Sequence, residues 1–147
     1  MAATDLNGLI TRGVQAMEEG NTLIALLYFE DATILRRIPM VLSSLGYCLV
    51  REHRQVQKGI GLCLEAMQKE PQNALHYLNL GRIYLLAGQK SLALQTFRRG
   101  LRCQRNPQII EELKRLGVRK RPVFSGLKRD HPLNRFFGLI LARLGVR

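Results

Sequence analysis

The sequence predicts an all-α fold: a right-handed α-α superhelix of antiparallel hairpins, ended by C-terminal capping helices. Three observations carry this. Small and bulky residues recur in register: Ala25, Gly59 and Ala93 are each 34 residues apart, as are Phe29, Cys63 and Phe97, and Ala32, Ala66 and Gly100. The composition favours helix, with no tryptophan, few β-branched runs and abundant Leu, Ala, Gln, Arg and Glu. Apolar residues between the turn signals follow helical spacing. A single hairpin of this kind cannot bury both its faces, so neighbours must stack on it.

The first copy spans residues 4–38. Gly13, Ala16, Gly20 and then Ala25-x3-Phe29-x2-Ala32 set its rhythm of small and large, and Pro39 follows. Asp5 or Thr4 is placed to cap its first helix, and Asn21 or Thr22 its second. The middle copy, residues 39–71, opens with Leu42-x2-Leu45-Gly46-x2-Leu49 and closes with Gly59-x3-Cys63-x2-Ala66 and Pro71. The glycines of the first helices, Gly13, Gly46 and Gly81, are spaced by 33 and 35, which assigns one extra residue to the middle turn near Glu52–Gln55. The third copy is the clearest. Gly81 and Ala93 let two helices cross closely, Tyr77, Leu80, Tyr84 and Phe97 fill the seams, and Gly88 suits a left-handed helix end.

Residues 74–107 thus read Tyr77-x2-Leu80-Gly81-x2-Tyr84-x3-Gly88-x4-Ala93-x3-Phe97-x2-Gly100. This resembles the tetratricopeptide repeat (TPR), whose pattern is aromatic-x2-Leu-Gly-x2-Tyr, then Ala-x3-Phe, then Pro. It departs at Gly100, where the family usually has alanine, and at Pro107, which arrives two residues late. The resemblance covers residues 4–117 and implies three repeats plus a C-terminal capping region, a TPR solenoid.

Beyond the repeats, residues 107–117 predict a seventh helix, with Asn106 as cap, Pro107 at the first position, and Ile109, Ile110, Leu113 and Leu116 on one face. Residues 118–131 break the pattern with Pro122, Gly126 and five basic residues. Residues 132–144 predict an amphipathic helix capped by Asp130 or His131, with Leu133, Phe136, Phe137, Ile140, Leu141 and Leu144 in its stripe. The expected organisation is a repeat array with its capping helix at 1–117, then a basic linker and a terminal helix packed on the array at 118–147.

Charge is unevenly spread. The net +12 of the 147 residues falls almost wholly on residues 98–147, with fourteen basic against three acidic side chains. Such an asymmetry suits an anionic partner or a solvated tail. Three cysteines without C-x-x-C spacing suit a reducing, cytoplasmic setting. MAATDLNGLI does not resemble a secretory leader, and no apolar stretch approaches the roughly 20 residues of a membrane span. His53, His76 and His131 sit in unrelated contexts, His53 in a turn and His76 on a helix surface, so no metal or cofactor is expected. Cys48 and Cys63 take core positions. No paired carboxylates and no phosphate loop are evident, and an enzyme is not expected.

The resemblance implies a concave groove lined by the first helices of successive repeats. The matching positions are Asn7, Ile10, Val14 and Met17; Ser43, Tyr47, Val50 and Arg51; and Leu78, Asn79, Arg82 and Leu85. It implies a non-catalytic adaptor or scaffold that binds a protein or peptide segment there. The Lys and Asn set with which some family members grip a C-terminal carboxylate is lacking. The alternative reading is a binder of nucleic acid or another anionic surface through Arg98, Arg102, Arg105, Arg119, Lys120, Arg121, Lys128 and Arg129. A further alternative is a chaperone for secreted subunits. Self-association as a homodimer through the terminal helix is also open.

Overall fold

The computed structural model describes residues 5–117, 132–143 and 145. Its described residues form eight helices and no strand: α1 (Leu6–Glu18), α2 (Thr22–Leu35), α3 (Pro39–His53), α4 (Val56–Lys69), α5 (Ala74–Leu86), α6 (Lys90–Cys103), α7 (Pro107–Arg115) and α8 (Pro132–Arg143). The chain divides into two compact units, Met1–Leu113 and Lys114–Arg147. The basic stretch 118–131 lies outside the described residues, as do the expected α8 caps, Asp130 and His131, and Leu144.

Local chemistry fixes the helix ends. Asp5 accepts a hydrogen bond from the Asn7 N–H at 3.2 Å, Asn21 from Ile24 at 3.3 Å and Asn73 from Leu75 at 3.1 Å. Asn106 accepts from both Gln108 and Ile109, at 2.9 and 3.1 Å. Each satisfies backbone donors that the first helical turn leaves free. Gly20 and Gly88 close the first and third hairpins in the left-handed region, each at φ 76°.

The middle hairpin differs from expectation. Its extra residue does not lengthen the turn. It extends α3 to 15 residues, and the turn shrinks to Arg54 and Gln55, with Arg54 itself left-handed at φ 57°. The helix absorbs the slip because each added helical residue gains a backbone hydrogen bond, which a longer loop would leave to solvent.

Packing follows the chain: α1 on α2, α2 on α3, α3 on α4 and α5, α4 on α5, and α5 on α6. The crossings are tight where glycine was expected to make them so. A Cβ on Gly13 would lie 2.6 Å from the Phe29 ring, and one on Gly81 would run into Phe97. Phe29, Phe97, Ala25 and Ala93 are all fully buried. The middle repeat solves the same problem differently. With Cys63 in place of phenylalanine, Gly46 and Gly59 face each other, and a Cβ on either would lie 2.7 Å from the other's carbonyl oxygen. The smaller side chain is thus matched by closer backbones. Gly100 replaces the family's alanine for an equally direct reason. A Cβ there would meet Tyr77 at 2.7 Å and the buried Ile109 of α7 at 2.8 Å.

Cys48 and Cys63 are buried free thiols, and burial pushes both up to about 12. For Cys48 the nearby Glu52 carboxylate adds to that rise. Cys103 is half-buried. An alkylating reagent at mild alkaline pH should therefore modify Cys103 alone in the native protein, and all three once urea is added. Mass spectrometry of intact chain checks this; native labelling of Cys63 would contradict the packing.

Candidate functional site

A groove of about 430 Å³ opens across α1, α3, α5 and α7. Its walls are Val14, Met17 and Glu18 from α1, Met40 and Ser44 from α3, Leu75, Leu78, Asn79 and Arg82 from α5, and Gln108 from α7. Five of the residues expected from the sequence meet there: Val14, Met17 and Arg82 present surface to it, while Leu78 and Asn79 are fully buried side chains behind the wall. Asn7, Ile10, Arg51 and Leu85 do not line it. Val50 is fully buried in the core. Sequence reasoning passed over Met40 and Leu75, although each lies three residues before an expected position, one turn back on the same helix face. Gln108 carried no repeat signal, because α7 is not a repeat helix.

Arg82 sits between two partners. Its Nε donates to Glu112 Oε1 at 2.8 Å, and its guanidinium lies 5.7 Å from the centre of the Tyr47 ring. The pair is mostly shielded, with side chains 22 % and 12 % exposed, so it is a stronger tie than a surface ion pair. It clips α5 to α7, and Ile109 buries beside Gly100 on the same contact. The cation is therefore neutralised within the fold. Glu18 forms no ion pair among the described residues.

Two expected positions need correction. Ser43 and His76, placed in the groove and on a helix surface by the sequence, are both fully buried. They meet each other: Ser43 Oγ is 2.9 Å from His76 Nδ1, and His76 Nε2 is 2.9 Å from Glu70 Oε2. With its proton on Nε2, the imidazole donates to the carboxylate and accepts from the Ser43 hydroxyl at Nδ1. The Ser43 oxygen in turn accepts from Asn79 Nδ2 at 3.2 Å. Ser43 stands three residues before Gly46 as the equally buried Leu78 stands three before Gly81, and the packing of α3 on α5 covers it. A serine, a histidine and a carboxylate in line would suggest nucleophilic chemistry. Here the serine has no exposed surface, so no substrate carbonyl can reach its oxygen. The chain of bonds is an interlock between the second and third repeats.

The other candidate surface is only partly described. Arg98 and Arg102 on α6 and Arg105 beyond it are exposed, whereas Arg119, Lys120, Arg121, Lys128 and Arg129 lie outside the described residues. No helix among the described residues is long and apolar enough to cross a membrane.

Comparison with known proteins bears on the fold. A tetratricopeptide-repeat family model matches residues 62–95. The first TPR of Spaghetti (RPAP3), bound to the HSP90 peptide SRMEEVD, superposes with a TM-score of 0.59 at 14% identity, covering 76% of this chain and 90% of that one. The second TPR domain of human RPAP3, in complex with the HSP70 peptide SGPTIEEVD, gives 0.56 at 15% identity, covering 76% and 93%. No curated protein matches the chain in sequence. At these identities the structural likeness shows the fold, and the matched family model adds the repeat itself. With its hairpins stacked in register and that model spanning the junction of the second and third, the chain carries a tetratricopeptide repeat at residues 62–95 and has the all-α helical-hairpin fold of tetratricopeptide-repeat domains.

Proposed function

We propose that the chain is a non-catalytic protein-interaction module, an adaptor or scaffold, whose groove receives an apolar segment of a partner protein. The observation that carries this is the composition of the groove wall. Val14, Met17, Met40 and Leu75 give it an apolar lining from three helices, with methionines that adapt to irregular shapes. That the two RPAP3 domains of the same fold hold peptides supports the general use. Their peptides end in acidic residues, however, and this groove offers no free cation for such an end. Arg82 is already held by Glu112, and Glu18 adds negative charge at the rim. The partner segment is therefore apolar rather than acidic.

A peptide array tests this directly. Apolar, leucine-rich peptides should bind the wild-type chain, and SRMEEVD should not. Val14→Glu with Met17→Glu should weaken the apolar binders about tenfold or more, since losing anchors at the centre of a contact costs that much. Val14 is 36 % exposed and Met17 half-buried, so the helix tolerates the change, and circular dichroism checks that it does. Preferred capture of SRMEEVD, or unchanged binding by the double variant, would sink the reading.

A further inference from the structure

At three positions the outer face of α2 is apolar where its counterparts are not, although α4 exposes Leu64 at the place of Glu30. Leu23, Leu27 and Ile34 are 50 %, 52 % and 81 % exposed. At the 34-residue period the same positions are Gln57, Gly61 and Gln68 in α4, and Ser91, Gln95 and Arg102 in α6, all of them exposed. The fold therefore does not require apolar side chains there, and repeats two and three do without them. Exposed leucine and isoleucine clustered on one helix face mark a contact surface. Glu30 and Asp31 sit in the middle of this face and are exposed.

The matching chemistry stands at the other end of the chain. Residues 1–35 carry one basic and five acidic side chains, and residues 114–147 carry ten basic and one acidic. On α8, Arg135, Leu139 and Arg143 are spaced by four and exposed, Leu139 by 65 %. On α2, Asp31, Leu27 and Leu23 have the same spacing. Four helical residues rise about 6 Å, so the two rows coincide when the helices run antiparallel. That register sets Arg135 against Asp31 and Leu139 against Leu27, and lays the aliphatic stem of Arg143 over Leu23.

We propose that the α2 face is the receiving surface for α8 of a second copy of the chain. The contact is heterologous: an acidic, apolar head takes a basic, apolar tail. Reciprocal exchange closes it as a dimer, and a one-way arrangement extends it into a ring or a row. It is independent of the groove, which lies on α1, α3, α5 and α7.

Analytical ultracentrifugation of the full chain tests the proposal. The wild type should associate in a concentration-dependent way, and less so at high salt, because opposite charges face each other. The head variant, Leu27→Gln with Ile34→Arg, uses residues that already stand at the equivalent positions of α6, so the hairpin keeps its fold. The tail variant is Arg135→Glu with Leu139→Asp. Each alone should associate roughly thirtyfold more weakly, the effect of removing a central pair of contacts. Mixed in equal amounts, the two should reassociate, because one retains an intact tail and the other an intact head. A monomeric wild type overturns the proposal, as would occur if α8 covered its own chain. So does a head or tail variant that associates like wild type. A mixture that stays monomeric also overturns it and indicates a face that pairs with itself.

Discussion

Replacing Phe97 with alanine should lower the stability of the chain by about 3–5 kcal/mol, the range for deleting a fully buried phenylalanine. The ring fills the space that Gly81 leaves on α5, and the rest of that crossing is too closely packed to collapse into the gap. The middle repeat supplies the control. Cys63→Ala removes one sulfur from a site already closed by the Gly46–Gly59 approach, and should cost only about 1 kcal/mol. Gly81 sharpens the test. Glycine in mid-helix is unfavourable by about 1 kcal/mol relative to alanine, so its place here is explained only by the ring it faces. Gly81→Ala should therefore destabilise the wild type by roughly 1–3 kcal/mol, through forced repacking. In the Phe97→Ala background the same change should become neutral or stabilising. Urea unfolding of the four proteins gives this coupling energy. Additive effects would mean that ring and glycine do not constrain each other.

The same logic explains how much was legible beforehand. Phe97, Gly81 and Ala93 encode a crossing by size alone, and size is read directly from sequence. Because the period of 34 repeats that code three times, the hairpins and their stacking followed from it. The groove was partly legible for the same reason: Val14, Met17, Leu78, Asn79 and Arg82 follow from repeat position. What escaped depends on partners far along the chain. Arg82 reads as a free cation until α7, 30 residues on, brings Glu112 to it. His76 has a polar side chain on a helix, which looks like surface until α3 presents Ser43. Nothing within its own helix says that its face is covered. The α2 face was overlooked for a different reason: a mostly apolar helix is easily taken for a buried one. Only its exposure beside α4 and α6 reveals the difference.

His76→Leu should cost about 2–3 kcal/mol, although leucine fills a similar volume and is more apolar. A buried hydrogen-bonding group left without its partner loses the full desolvation term, typically about 1–3 kcal/mol. Here the substitution takes away the Ser43 hydroxyl's 2.9 Å partner and leaves it only the longer bond to the Met40 carbonyl at 3.3 Å, while the Asn79 amide still donates to the Ser43 oxygen. Glu70 is half exposed and returns to water at little cost. A measured loss below about 1 kcal/mol would show that the interlock can be exchanged for plain packing, as happens at some buried polar clusters. The acid side gives an independent reading. The fold holds the Glu70 carboxyl below its ordinary 4.5, first through the Asn73 amide and then through His76. A lowered folded value means that the carboxylate's stabilising contribution is complete above the ordinary value and fades as pH falls through the lowered one. Glu70→Gln should therefore differ most from wild type at neutral pH, and the gap should narrow as the pH drops below 4.5. If the gap instead widened in acid, the carboxylate would not be the charged end of this chain of bonds, and the interlock would have to rest on Ser43 and Asn79 alone.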